Sequence, residues 1–261
     1  MDLDLTGKHA LVCGASQGIG RAAALALARL GADVTALART RETLERLVAE
    51  LSRRGAQRHG YVAVDMRDRE ALRRQVEAVA NATPIVILVN NTGGPPGGPA
   101  HEAGEPAYLA AFEQHLLANQ TLVQAVLPGM RRSGYGRIVN VISTSVKEPI
   151  RNLGVSNTIR GAVASWAKTL ATELGPDRIT VNNVLPGYTK TQRLEQILRD
   201  RAQASGKPED EVARGMLATV PLGRFAEAAE IANVVAFLAS PAAAYVSGIN
   251  VPVDGGRTQS L

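Results

Sequence analysis

Short β-branched segments alternate with longer helical ones along almost the whole chain, and this alternation restricts the fold more than any single motif. "HALVCG" leads into the alanine-rich "GRAAALALARLG", "DVTALAR" into a charged helix over 40–54, and "GYVAVD" into a helix from about Asp68 to Asn81. "PIVILVNN", with its unbroken apolar run, reads as a strand buried on both faces. A helix from about Pro106 to Arg132 precedes the strand "GRIVNVIS", and a helix opening at "LGVSNTIRGAV" and running to about Leu174 precedes "RITVNNVLPG". Two helical segments over 191–218, a helix at Ala228–Ala239 and a last strand, "INVPVDGG", complete the pattern. Strands joined by helices build crossover units, hence a parallel sheet with helices on both faces. The expected fold is α/β: one doubly wound parallel-sheet domain over 1–261, with 191–218 as a lid and "GGPPGGP" at 93–99 as an internal loop.

Composition narrows the function classes. The 261 residues are 45% hydrophobic and 20% charged, as in a soluble domain with a large core. No apolar run reaches the ~18 residues that span a bilayer. The stretch "MDLDLTGKHALV" lacks the basic and apolar regions of a signal peptide, and the single cysteine, Cys13, excludes an internal disulfide. The chain is therefore expected in the cytoplasm. The net charge of +5 is spread along helices that also carry Glu, and aromatics are only 3%, so neither nucleic acid nor a membrane is an expected partner. No metal site is expected.

The segment "CGASQGIG" lies between the first strand and the first helix. Gly14, Gly18 and Gly20 permit a tight turn and the close approach of a phosphate, and the N–H groups that open the helix face an anion. The same letters also serve a plain tight turn, but a strand before, a helix after and a second strand near Asp33 are the setting of a dinucleotide-binding loop. At the end of the second strand NAD sites commonly carry an acid for the ribose hydroxyl; this chain has Ala38, Arg39, Thr40 and Arg41. No carboxylate there repels a 2′-phosphate, and Arg39 has the fork to bind one. NADP(H) is expected in preference to NAD(H).

With "GASQGIG", Asp65 after the third strand, "NNTG" at 90–93, "GRIVNVIS" and "LPGYTKT" in this order, the chain resembles the short-chain dehydrogenase/reductase family over nearly its whole length. The tail "PLGRFAEAAEIANVVAFLASPAAAYVSGINVPVDGG" resembles the oxoacyl carrier-protein reductase branch. The resemblance implies a Rossmann fold and positions for a dinucleotide. Gly14, Ser16, Gln17, Gly18 and Ile19 would hold the pyrophosphate and adjoining ribose, Asp65 and Met66 the adenine edge, and Asn91 and Gly93 the ribose. Pro186, Gly187, Thr189 and Thr191 would line the nicotinamide and its phosphates; Asn90 and Gly187 serve equally well as turn-shaping residues. Cys13 reads as a small core residue.

The family's reaction, as the resemblance implies it, uses a tyrosine as acid/base, a lysine that lowers its pKa and binds ribose, a serine on the carbonyl and an asparagine for a water relay. Ser143, thirteen residues before the tyrosine position, matches the serine. The tyrosine position holds Ser156, the lysine position Arg160 and the asparagine position His115; Asn119 fits only if the helix register slips. An aliphatic alcohol is a far poorer acid than a phenol, and a guanidinium keeps its proton. The substitutions are compatible with cofactor binding and remove the usual proton route. Replacement donors are His115 acting through water, Lys147 on the loop after Ser143, Tyr188, or a water held by Ser143 and Ser156.

The substrate is expected to be a small-molecule carbonyl or alcohol, walled by 93–102 and 191–218. "GMRRSGYGR" at 129–137 is either a docking spot for an acidic acyl carrier protein or a helix end neutralised by Arg131 and Arg132. A homotetramer built on the helices 106–132 and 155–174 is implied by the resemblance. Three functions stand: an NADP-dependent oxidoreductase with an altered relay, a dinucleotide-binding protein with little catalysis, and a dehydratase-like enzyme using His115 or Lys147.

Overall fold

The computed structural model describes residues 1–260. Seven strands, β1 (His9–Cys13), β2 (Asp33–Ala38), β3 (Gly60–Ala63), β4 (Ile87–Asn91), β5 (Gly136–Val141), β6 (Ile179–Pro186) and β7 (Asn250–Val253), form one parallel sheet in the order β3-β2-β1-β4-β5-β6-β7. Between them run α1 (Gly18–Arg29), α2 (Arg41–Glu50), α3 (Arg69–Ala82), α4 (Glu105–Phe112), α5 (Ala118–Ser133), α6 (Gly154–Leu174), α7 (Gln192–Ser205), α8 (Glu209–Leu217) and α9 (Ala228–Ala239). Each face of the sheet has its own core. Leu27, Leu44 and Ile231 of α1, α2 and α9 pack with Val12, Val34 and Val89 on one side. Leu72, Leu122 and Ala167 of α3, α5 and α6 pack with Leu11, Leu88 and Ile138 on the other. The strand order reverses between β1 and β4, and a crevice opens where the chain leaves these strands in opposite directions. Among the described residues no helix is long and apolar enough to cross a membrane.

A polar line crosses this apolar sheet. Asn90 of β4, Asn140 of β5, Asn183 of β6 and Asn250 of β7 stand opposite one another in register. The amide of Asn90 donates to Asn140 at 2.8 Å, Asn140 to Asn183 at 2.9 Å, and Asn183 to Asn250 at 2.8 Å. Asn90, Asn140 and Asn183 are buried, so each needs such partners. The period of two cannot slip without breaking the ladder, which therefore fixes the register of four strands.

Several boundaries differ from those expected, three of them in ways that the local chain explains. The second helix ends at Glu50, where Leu51 turns extended and Gly55 adopts φ +72°, and does not reach residue 54. The fourth strand starts at Ile87, three residues after Pro84, which has no N–H to pair. The helix expected over 106–132 is interrupted: Glu113–Leu117 form a π turn between α4 and α5.

Candidate functional site

A cleft of about 500 Å³ opens at the crevice between β1 and β4. Its floor is the glycine loop. Gly14 adopts φ +59°, and a Cβ there would stand 2.6 Å from the Asn91 carbonyl oxygen; a Cβ on Gly20 would run into the Gly14 carbonyl. Gly20 is thus a packing residue that lets α1 close on the loop, and it does not line the cleft as expected of a cofactor contact. Asn91 holds this crossing, donating to the carbonyls of Cys13 and Gly14 at 3.4 Å each. Ser16, Gln17, Gly18 and Ile19 do line it. The α1 N-cap Gln17 makes no side-chain capping bond and the first turn carries no acid, so the N–H groups opening the helix are available to an anion. This cradle fits a dinucleotide's phosphates.

Arg39, Thr40, Asp65 and Met66 line one end of the cleft. Arg39 is exposed and takes part in no ion pair among the described residues. Asp65 is occupied by Arg67, which also lines the cleft and donates through Nη2 at 2.7 Å; that hydrogen bond is the main reason its carboxyl titrates below the usual range.

The other end gathers the substituted positions. Ser143 lies just past β5, its Oγ accepting from the Ser145 N–H at 3.1 Å at the start of a short 3₁₀ turn. Ser156 and Arg160, one turn apart on α6, share the cleft wall with it, as do Asn91, Gly93, Pro186, Gly187, Thr189 and Thr191. Arg160 is buried and donates to the carbonyls of Val141 at 3.3 Å and Thr92 at 3.4 Å. Burial, and then the nearby Arg193 charge, push its pKa down to about 10, so it remains a cation at neutral pH.

His115 stands behind this wall and does not line the cleft. It sits in the π turn, is 1% exposed, and its Nδ1 meets the Thr92 hydroxyl while Nε2 has no partner. Burial, and then Arg160, push its pKa down to about 3, so the imidazole is neutral at pH 7. Asn119, which would fit only if the helix register slipped, is buried one turn on and does not line the cleft; the π turn adds one residue, not the four that separate Asn119 from His115. Lys147 does not line the cleft either. Tyr188 does, with its ring edge against Phe225 at 6.2 Å and the Arg257 guanidinium 4.8 Å from its centre. Cys13 is fully buried and its thiol is pushed up to about 12, which suits a core residue.

Among the wall residues not anticipated as site residues are Thr92, Gln114 and Arg193. Thr92 follows Asn91 in a motif read only for its asparagine and glycines; a hydroxyl within "NNTG" was the available signal. Gln114 donates to the Gly93 carbonyl at 3.4 Å. Arg193, in the first turn of α7, reaches back to the Pro95 carbonyl at 2.8 Å, a long-range contact that no local spacing announces. Arg131, at the end of α5, pairs with Asp177 at 2.7 Å.

Residues 14–258 match the family model described as enoyl-(acyl carrier protein) reductase. The chain is 37% identical to L-xylulose reductase of Cavia porcellus over 98% of both chains. It is 34% identical to 3-oxoacyl-[acyl-carrier-protein] reductase of Pseudomonas aeruginosa, covering 99% of this chain and 100% of that one. Among solved structures, L-sorbose reductase from Gluconobacter frateurii, complexed with NADPH and L-sorbose, superposes with a TM-score of 0.93 at 32% identity over 100% of both chains.

Proposed function

Since the chain belongs to the short-chain dehydrogenase/reductase family of oxidoreductases, we propose that it interconverts a carbonyl and a secondary alcohol with NADP(H), in the manner of a 3-oxoacyl-carrier-protein reductase but with an altered proton relay. The observation that carries this reading is that one cleft is lined by the glycine loop, by Arg39 and by Ser143, Ser156 and Arg160. Gly14, Ser16, Gln17, Gly18, Ile19 and Thr191 would hold the pyrophosphate, Arg39 and Thr40 the 2′-phosphate, and Asn91, Gly93 and Arg160 the ribose beside the reacting ring. Asp65 and Met66 would edge the adenine, and Pro186, Gly187 and Thr189 the nicotinamide. NADPH bound to the L-sorbose reductase supports the same preference here. Bound in the cleft, the nicotinamide supplies or accepts the hydride.

The protein's own part is to hold the substrate oxygen and to move one proton. Ser143 orients the oxygen, its hydroxyl free to donate because it already accepts from the Ser145 N–H. Arg160 keeps positive charge beside the developing alkoxide without giving up a proton. The proton reaches the oxygen from solvent through a water on Ser143 and Ser156; the neutral His115 is not its source, and acts by orienting the Thr92 hydroxyl toward that water. General acid help is worth ~10²–10⁴-fold, so a relay weaker than a phenol gives a slow enzyme, not an inert one. The segment 191–218, folded as α7 and α8, is proposed as a lid, a cytoplasmic homotetramer as the assembly, and an acyl carrier protein as a bearer of the substrate.

A second reading, a dinucleotide-binding protein with little turnover, is favoured by two observations: the tyrosine position is an alcohol, Ser156, and the ring of Tyr188 is engaged by Phe225 and Arg257. NADPH binding followed by fluorescence, then a carbonyl panel with NADPH oxidation, separates the two. Turnover above background supports the enzyme. Binding without turnover, with activity created by Ser156→Tyr plus Arg160→Lys, supports the binder, and absence of NADPH binding removes both.

A further inference from the structure

We propose that the substrate carries a carboxylate in addition to its reacting carbonyl or alcohol, and that Arg193 holds this carboxylate with Arg160 beside it. The proposal rests on the oxidoreductase reading above. Both arginines line the cleft, Arg160 on the wall that also carries Ser143 and Ser156. Arg160 is buried and, among the described residues, donates only to the main-chain carbonyls of Val141 and Thr92, through bonds of 3.3 and 3.4 Å. Arg193 crosses from α7 to the Pro95 carbonyl, and a Cβ on Gly94 would meet its Nη2 at 3.6 Å. Neither arginine has an ion-pair partner among the described residues. Asp65 is the one carboxylate on the described cleft wall; it stands beyond β3 at the far end and is occupied by Arg67.

Two cations thus face one cavity with no acid between them. Arg193 adds to burial in lowering the pKa of Arg160, the electrical sign of that opposition. A desolvated cation without a counter-charge is costly, and an anion seated between the two removes the cost. The guanidinium fork matches the two oxygens of a carboxylate. The phosphates of a dinucleotide have their own places, at the uncapped first turn of α1 and at Arg39. The anion left for Arg193 is therefore the substrate's.

The experiment compares 2-oxobutanoate, 3-oxobutanoate and 4-oxopentanoate with their methyl esters, using wild type, Arg193→Met and Arg193→Lys, with the NADPH Kd measured on each protein. Wild type should prefer an acid to its ester. Arg193→Met should lower the acid-to-ester ratio of kcat/KM by ~10–100-fold, chiefly through KM, as expected for a lost charged hydrogen bond. Arg193→Lys should recover part of the ratio, and the NADPH Kd should move by less than ~3-fold. A variant that weakens NADPH and leaves the ratio untouched assigns the guanidinium to a cofactor phosphate and overturns the proposal. Equal use of acids and esters by wild type overturns it too. If wild type binds no NADPH, the oxidoreductase reading fails by itself; if it binds NADPH and turns over none of these compounds, the second reading stands. The acids are then titrated calorimetrically against the protein alone: binding lost in Arg193→Met sustains the carboxylate site, and no binding overturns it.

Discussion

The Thr92 hydroxyl meets Nδ1 of the buried His115, while the carbonyl of the same residue accepts from Arg160 Nη2 at 3.4 Å. Thr92 lines the cleft and His115 does not, so this threonine is the contact between the imidazole and the reacting end. Thr92→Val keeps the shape and the carbonyl and removes the hydroxyl. The buried Nδ1 then loses its partner, and unfolding in urea should show a loss of ~1–3 kcal/mol. If His115 serves the proton, kcat should also fall and its pH profile change, with the NADPH Kd held and Thr92→Ser restoring both. A loss of stability alone, with kcat and its profile unmoved, would make the pair a packing device.

His115 is held neutral with a pKa of about 3, against an ordinary histidine value near 6.5. Between those values the unfolded chain binds a proton that the folded chain excludes. Stability is therefore complete above about pH 6.5 and falls as the pH drops toward 3, by on the order of 1.4 kcal/mol per unit. His9, whose pKa burial also lowers, adds a slope of the same sign to every variant that retains it. The difference between His115→Asn and wild type isolates the His115 share. Denaturation curves should show that difference constant above pH 7 and moving in favour of the variant below pH 6. Parallel stability profiles would mean that the folded protein protonates His115 readily.

Arg39 follows β2 on the cleft wall with no ion-pair partner among the described residues, and no acid occupies its position. Arg39→Asp replaces a phosphate-binding fork with a charge that repels phosphate and attracts a ribose hydroxyl. The Kd for NADPH should rise by at least ~10-fold while that for NADH changes much less or improves. Equal losses for both cofactors would detach Arg39 from cofactor choice.

Much of this was legible in the sequence because two periods carry it. Apolar β-branched runs placed all the strands, and the α9 boundaries, Ala228–Ala239, coincide with those read from its apolar pattern. The glycine loop, Ser143, Ser156 and Arg160 share one cleft because each lies just past a strand end or at the start of a helix facing the crevice. Three features were not legible. The π turn around His115 adds one residue without a proline or glycine to mark it, so a regular helix was the only reading. The segments 93–102 and 191–218 both read as substrate walls, but the contact that joins them, Arg193 to the Pro95 carbonyl, leaves no pattern in either. The asparagines of the ladder read as isolated polar letters in apolar strands, since only the register shows that they stand side by side.

That ladder makes the sharpest stability prediction. Asn140 stands inside it, accepting from Asn90 and donating to Asn183, with no exposure of its own. Asn140→Ala strands two buried groups at once, the Asn90 amide and the Asn183 oxygen, and leaves a cavity. Each unpaired group costs ~1–3 kcal/mol, so urea denaturation should report a loss of ~3 kcal/mol or more. Asn250→Ala, at the partly exposed end, strands only the Asn183 amide and should cost ~1 kcal/mol. Once Asn140 is gone, Asn90 has no partner to lose. The double variant Asn90→Ala with Asn140→Ala should therefore be more stable than the sum of the single losses predicts, by ~0.5–3 kcal/mol. Strict additivity would show that the two amides do not depend on each other, and that the strand register is held by apolar packing alone.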